Sequence, residues 1–158
     1  MRWIRLGRSL LGQAEARLKD ACGAREDGNH PYAVRLSQEC VELSLKGVLR
    51  AVGIEYPKVH EVSDVFLRVP ERFPDWFRVE IGFIRESSKM LYKKREPSLY
   101  GDEVLHLSPN EVMDEGDAAD ALSRAEKIYG LCRRFIDEAL AGRDRSAGEG
   151  AEKVLDSK

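Results

Sequence analysis

The densest chemical signal in the sequence is a cluster of basic and aromatic side chains in the segment 89–100. Its cations are Lys89, Lys93, Lys94 and Arg95, and the rings of Tyr92 and Tyr100 lie among them. Basic groups interleaved with aromatic rings suit phosphates and stacked bases. A structural interpretation is also open, because cations favour the C-terminal end of a helix. The motif YGDE at the end of the cluster adds a phenol, a glycine turn and two carboxylates, which favours a binding site.

Other side chains that could carry chemistry lack partners of the right type. His30, His60 and His106 do not have the spacing of metal ligands, so we predict no metal site and no cofactor. His60 stands just before the third predicted helix, where capping is favoured over lining a groove. Ser37 and Ser44 have no neighbouring histidine and are interpreted as small packing residues rather than nucleophiles.

Length and composition indicate one globular domain. The chain has 158 residues, of which 42% are hydrophobic and 34% charged, enough for a substantial core. A formal net charge of −2 gives no global attraction to nucleic acid or acidic membranes, so any such contact must come from a local patch. Cys22, Cys40 and Cys132 are odd in number and far apart, which predicts reduced thiols in a cytoplasmic protein. No apolar run approaches the roughly 20 residues of a membrane span.

Helical periodicity divides the chain into five segments and leaves no alternation typical of strands. The segments are 3–23, 32–52, 61–69, 74–94 and 117–140, and the third of them is short. The predicted class is therefore all-α, an up-and-down bundle of four long helices and one short helix. Residues 1–141 would form this bundle, and residues 142–158 are expected to form a flexible tail. The segment 95–116 breaks all periodicity and is expected to be a long loop.

The second segment, Tyr32 to Val52, is expected to be the central helix, because apolar residues cover most of its circumference. A polar ridge completes the circle. Within it, Arg35 precedes Glu39 and Glu42 precedes Lys46 by four residues, the spacing of ion pairs on a helix surface. The ridge is therefore predicted to face solvent.

Taken in order, these segments resemble the HEPN domain family. The similarity is carried by YAVRLSQECVELSLKGVLRAVGI in the central helix, VHEVSDVF at the third helix, REPSLYGDE, and DAADALSRAEKIYGLCRRFI in the last helix. The resemblance implies a five-helix bundle that forms a two-fold dimer with a cleft at its seam. It also implies a partner nucleotidyltransferase, with which such proteins act as a toxin–antitoxin or two-component pair.

Ribonuclease members of that family carry an Arg-x(4–6)-His motif after the fourth helix and cleave RNA without metal, using the 2′-hydroxyl as nucleophile. Arg95, or Lys94 in another alignment, is similar to the basic position of the motif. Leu99 and Tyr100 stand where the histidine would be, and His106 is too distant. A general acid or base near neutral pH is most often an imidazole, and tyrosine is a poor replacement. This departure predicts binding without catalysis.

We therefore expect a homodimer that binds nucleotide or RNA phosphate in its cleft, has no membrane partner and is not itself an enzyme. The cluster and the resemblance together assign the binding site to Lys94, Arg95, Tyr100, Asp102 and His60. Two alternatives stay open. One is a metal-independent endoribonuclease with an altered active site, and the other is an interaction module whose dimer or partner surface is the whole function.

Overall fold

The computed structural model describes the backbone of residues 2–155 and the side chains of residues 2–147. Within that range the chain forms seven α-helices and no strand, with a 3-10 turn at Pro70–Arg72. The helices are α1 (Arg2–Glu26), α2 (His30–Ala51), α3 (Val65–Arg68), α4 (Asp75–Arg78), α5 (Ile81–Tyr100), α6 (Pro109–Val112) and α7 (Glu115–Leu155). The predicted all-α class and its four long helices are confirmed.

Helix α2 lies at the centre of the fold, as its sequence predicts. Asn29 caps its N-terminus by accepting a hydrogen bond from the amide of Tyr32, and Pro31 occupies the first turn. After the helix ends, Gly53 adopts a φ of 75°, a conformation that glycine reaches without strain. Helices α1, α5 and α7 cover α2 on different sides, and its apolar residues form most of the core.

Two glycines allow α1 and α2 to approach each other closely. A Cβ atom placed on Gly7 would lie 2.5 Å from the carbonyl oxygen of Gly47 and 2.9 Å from the Cβ of Ala51. Real Cβ atoms do not come so near to backbone, so this helix contact depends on the missing side chain. Ser44 of α2 is also fully buried, as expected of a small packing residue.

The polar ridge of α2 is covered by neighbouring elements, so the predicted solvated face is wrong. Gln38 is only 2% exposed, and the side chains of Glu42 and Lys46 are 12% and 14% exposed. The Glu42–Lys46 pair forms at 2.7 Å. Arg35 makes no ion pair within the described residues, which leaves the predicted pair with Glu39 unformed. The physical reason is that α5 and the α2–α3 connector bring their own polar groups onto this face.

The third and fourth predicted helices differ from those observed. The third is a single turn, because the carboxylate of Glu61 accepts the amide of Ser63 and holds the preceding residues in a connector. The fourth is divided into α4 and α5, and four phenylalanine rings with centroids 5.0 to 5.8 Å apart pack around the division. These rings belong to Phe66, Phe73, Phe77 and Phe135.

Both ends of the predicted loop 95–116 are helical. Helix α5 continues through Pro97 to Tyr100, which places Arg95 and Tyr100 on a helix rather than in a loop. A third short helix, α6, begins after Ser108, whose side chain and that of Glu111 form a capping box. The ordered remainder is a tight turn closed by paired hydrogen bonds between Asp102 and Leu107, each 2.9 Å long.

Helix α7 extends past its predicted end at Leu140. It continues through Gly142 to Leu155, so the boundary drawn at residue 141 is not a helix end. The side chains of residues 141–147 are exposed. That the segment 142–158 is flexible stays a prediction, and residues 156–158 lie outside the described backbone.

Cys22, Cys40 and Cys132 are free thiols, and the last two are buried. Burial raises the pKa of Cys40 to about 12, so its thiol is protonated at neutral pH. No helix between residues 2 and 155 is long and apolar enough to cross a membrane. The same part of the chain places no three His, Cys, Asp or Glu side chains where they could hold a metal ion.

Candidate functional site

A groove of about 770 Å³ lies between the C-terminal half of α5 and the turn that follows it. It brings together four of the five residues predicted for the site, namely His60, Arg95, Tyr100 and Asp102. Tyr92 and Lys93 of the basic cluster also line it. The fifth predicted residue, Lys94, does not. Side chains from α5, the turn and the α2–α3 connector thus meet at one surface.

Arg95 is the half-buried cation of this groove. Its Nη1 donates a 2.8 Å hydrogen bond to Oε1 of Gln38, a neutral residue of α2. Because the partner carries no charge, a ligand does not have to displace a carboxylate from Arg95, and the guanidinium has further N–H donors to offer. The hydroxyl of Ser98 caps the carbonyl of Arg95 within the same helix.

Gln38 connects Arg95 to an acidic residue one turn further along α2. Its Nε2 donates to Oε2 of Glu42 over 3.2 Å, and the other oxygen of Glu42 accepts from Nζ of Lys46 at 2.7 Å. Sequence reasoning missed Gln38 and Glu42 as members of the site. Their four-residue spacing is visible in the sequence, but the partner Arg95 comes from a segment 57 residues away.

His60 also joins this network. Its Nδ1 lies 3.2 and 3.3 Å from the two oxygens of Glu42, so the ring contacts α2 instead of capping the third helix. The capping role favoured by the sequence is therefore wrong. With a proton on Nδ1, the ring donates to Glu42 and leaves Nε2 as an acceptor. The side chain is 55% exposed, which keeps the ring open to a ligand in the groove.

Two lysines of the basic cluster are engaged in ion pairs outside the groove. Lys94 contacts Asp117 at the start of α7 over 2.9 Å. The backbone amide of Asp114 and the ammonium of Lys94 lower the pKa of Asp117, which keeps that carboxylate charged. Lys89 contacts Glu61 and Asp64 at 3.2 and 3.0 Å. Both lysines therefore fasten α5 to neighbouring segments.

Lys93 differs from those two lysines. It is exposed, lines the groove and has no ion pair among the residues whose side chains are described. Glu96 and Glu103 line the groove as well, so its rim carries both signs of charge. A phosphate in the groove would be attracted by Lys93 and Arg95 and repelled by the two glutamates and by Asp102, which also lines the groove.

Asp102 shapes the turn after α5. Its Oδ1 accepts hydrogen bonds from the amides of Val104 and Leu105 at 3.0 and 2.9 Å. Gly101 precedes it with a φ of 71°, and a Cβ there would collide with the backbone of Leu107. Asp102 thus holds a glycine-dependent turn in place, and the turn forms one wall of the groove.

The turn and the last residues of α5 present apolar surface beside the groove. The side chains are 36% to 87% exposed, a high fraction for residues of this size. They are Tyr92, Leu99, Tyr100, Val104 and Leu105. Together with the cations, these rings and aliphatic groups could bind a ligand that has both phosphates and bases.

The imidazole that lines the groove does not come from α5. Leu99 to Asp102 contain no histidine, and His106 lies in the turn with a positive φ of 56° and does not line the groove. His60 enters instead from the connector that follows α2.

Comparison with known proteins gives a consistent result. The HEPN domain profile matches residues 8–135. The candidate toxin MJ1304 of Methanocaldococcus jannaschii is 26% identical over 141 residues, covering 85% of this chain and 91% of the relative. The crystal structure of TT1696 from Thermus thermophilus superposes with a TM-score of 0.65 at 25% identity, covering 82% of this chain and 97% of that one. The crystal structure of ST0689, an archaeal HEPN homologue, gives 0.62 at 28% identity with the same coverage. The profile spans most of the sequence and the fold agrees with it, so this chain belongs to the HEPN domain family.

Proposed function

We propose that this HEPN protein binds the phosphate groups of a nucleotide or RNA in the groove beside α5. The observation that carries the proposal is that Arg95 is held by the neutral Gln38 in a groove it shares with Lys93, Tyr100 and His60. A guanidinium fixed by a neutral partner can offer its remaining donors to phosphate oxygens without displacing a carboxylate. The nearby tyrosine rings offer faces on which bases can stack.

The acidic residues of the groove set the expected strength of this binding. Two cations facing three carboxylates, those of Glu96, Asp102 and Glu103, give no net attraction at long range, so we expect modest affinity and a shallow salt dependence. If Lys93 and Arg95 both contact phosphates of a single strand, log Kd should change with log salt concentration by a slope of about 1.4. The roles of Lys94 and Asp102 are then indirect: Lys94 anchors α5 to α7, and Asp102 shapes the groove wall.

The proposal includes a homodimer and a partner protein. In the homodimer the groove would open onto the seam between the two copies, so that its apolar and basic side chains stay accessible to a ligand. A toxin–antitoxin pair in the cytoplasm, with a nucleotidyltransferase as partner, fits the family and the name given to the M. jannaschii relative. In this arrangement the chain binds the nucleotide or RNA but does not cleave it.

A titration of labelled ATP and of a short RNA tests the site. The wild-type protein is compared with Arg95→Ala and with Arg145→Ala, a control that removes an exposed arginine of α7 away from the groove. We expect Arg95→Ala to weaken binding about tenfold, which corresponds to about 1.4 kcal/mol, a typical value for one charged hydrogen-bonding group. Arg145→Ala should bind as the wild type does. Equal affinity in all three proteins would remove Arg95 from any binding site.

One observation favours a second function, a metal-independent endoribonuclease. The contact between Glu42 and His60 would hold an imidazole in the groove with Nε2 free to accept a proton. In such a reaction the 2′-oxygen would bond to phosphorus as it loses its proton to His60, and the P–O5′ bond would break with a proton supplied by water. Incubation of RNA with the protein in EDTA separates the two functions. Cleavage that is abolished by both His60→Ala and Arg95→Ala would establish nuclease activity. Intact RNA would show that the protein binds RNA or nucleotide without cleaving it.

A further inference from the structure

A second, smaller pocket of about 300 Å³ lies against the other side of the last turn of α5. Leu99 lines both this pocket and the main groove, so the two are separated by one turn of helix. Tyr32 and Arg35 of α2 line the second pocket, together with the amide side chains of Asn29 and Asn110. No acidic residue is among the side chains that line it.

Arg35 is incompletely bonded in this pocket. Its Nε is buried and has no hydrogen-bond partner, and its guanidinium forms no ion pair with the residues described. The guanidinium carbon lies 5.0 Å from the centre of the Tyr32 ring, a cation–π distance. Because the Nε atom itself is buried, a ligand in the pocket would meet the terminal N–H groups of the guanidinium, which are free to bond an anionic oxygen.

The two arginines are arranged around the same turn of α5. Arg35 stands three residues before Gln38 on α2, and Gln38 holds Arg95. Residues three apart lie on one face of a helix, so Arg35 and the glutamine that bonds Arg95 share one face of α2. Because Leu99 lines both the pocket with Arg35 and the groove with Arg95, a strand of more than one nucleotide could pass over Leu99 from one to the other.

We propose that the Tyr32–Arg35 pocket binds the next nucleotide of a single-stranded RNA whose phosphate lies at Arg95. This inference rests on the proposed function and specifies its ligand as an oligonucleotide rather than a mononucleotide. Arg35 contacts the second phosphate through the terminal N–H groups of its guanidinium, which lines the pocket. The exposed ring of Tyr32, with the guanidinium stacked on one face, supports the base.

Length-dependent binding tests the inference. Fluorescently labelled hexa-adenylate RNA and AMP are titrated into the wild type, Arg35→Ala, Arg95→Ala and the control Arg145→Ala. The wild type should bind the hexamer at least about tenfold more tightly than AMP, because one stacked base and one phosphate contact are added. Arg35→Ala should lose most of that difference and keep its affinity for AMP. Arg95→Ala should bind both ligands more weakly.

The outcomes separate the inference from the proposed function. If Arg35→Ala binds the hexamer as the wild type does while Arg95→Ala binds it weakly, the second pocket is not a nucleotide site and the main groove stands. If the hexamer binds no more tightly than AMP to the wild type, the inference is also overturned. If neither variant changes binding, both proposals fall. Should Arg35→Ala fail to fold, Tyr32→Ala removes a side chain that is 40% exposed and must give the same selective loss for the hexamer.

Discussion

Replacing Gln38 with leucine should both destabilise the protein and weaken its binding. Leucine has a similar size but can neither accept from Arg95 nor donate to Glu42. Two hydrogen bonds to charged groups are lost, worth about 3 kcal/mol at the low end of the usual range, since both partners keep some access to water. Burying the leucine side chain returns about 1.5 kcal/mol. The free energy of unfolding should therefore fall by about 1.5 kcal/mol, which lowers Tm by roughly 3 to 6 °C.

Thermal unfolding and RNA titration measure the two effects on the same samples. Gln13→Leu is the matched control, because Gln13 is exposed on α1 and accepts a surface hydrogen bond from Arg17 at 3.1 Å. Such a pair contributes at most about 0.5 kcal/mol, so the control should unfold near the wild-type temperature. A double-mutant cycle of Gln38→Leu with Arg95→Ala should give a coupling energy of about 1 kcal/mol or more. Strict additivity of the two substitutions would refute the claim that Gln38 positions Arg95.

Two further predictions concern glycines that the fold requires. Gly7→Ala should destabilise the protein by about 1 to 3 kcal/mol through overpacking against α2, whereas Gly12→Ala, which has open space on the same helix, should stabilise it by about 0.5 to 1 kcal/mol. Thermal unfolding should show a lower Tm for Gly7→Ala and a higher Tm for Gly12→Ala. A change of Tm in the same direction for both variants would contradict the close contact between α1 and α2. Gly101→Ala should open the turn after α5, because the new Cβ collides with backbone at an unfavourable φ. Hydrogen exchange at the Asp102 and Leu107 amides should accelerate at least about tenfold, and unchanged protection would show that the turn does not need glycine.

Helix periodicity predicted the bundle because each long helix buries a continuous apolar stripe. The segment Tyr32–Val52 needed neighbours on several sides, and the structure supplies them. Periodicity failed to predict helix ends at positions where the local preference of a residue competes with the packing of the helix. Pro97 is typical of a helix break, yet α5 continues through it to Tyr100. The same error occurred at Gly142, through which α7 continues to Leu155 although few apolar residues support it.

The site was predictable only in the part that lies within one segment. Arg95 and Tyr100 could be found because a cluster of cations and rings is visible in sequence order. The role of Gln38 could not be predicted from the sequence, because a glutamine within a charged ridge is typical of a solvated surface. Its burial depends on α5 covering α2, and that packing brings residues 57 positions apart into contact. His60 was found by the resemblance, but its contact with Glu42 follows only from the path of the connector.

The surroundings of the four cations in the segment 89–100 decide which of them can bind an anion. A phosphate that approached Lys94 would have to displace the carboxylate of Asp117, and at Lys89 it would compete with two carboxylates. At Arg95 it meets a guanidinium bonded to an uncharged amide, with donors to spare. Sequence treats these residues as equivalent positive charges. The structure divides them into Lys89 and Lys94, which hold α5 in place, and Lys93 and Arg95, which line the groove. Arg95 belongs to the second group because its partner Gln38 is neutral.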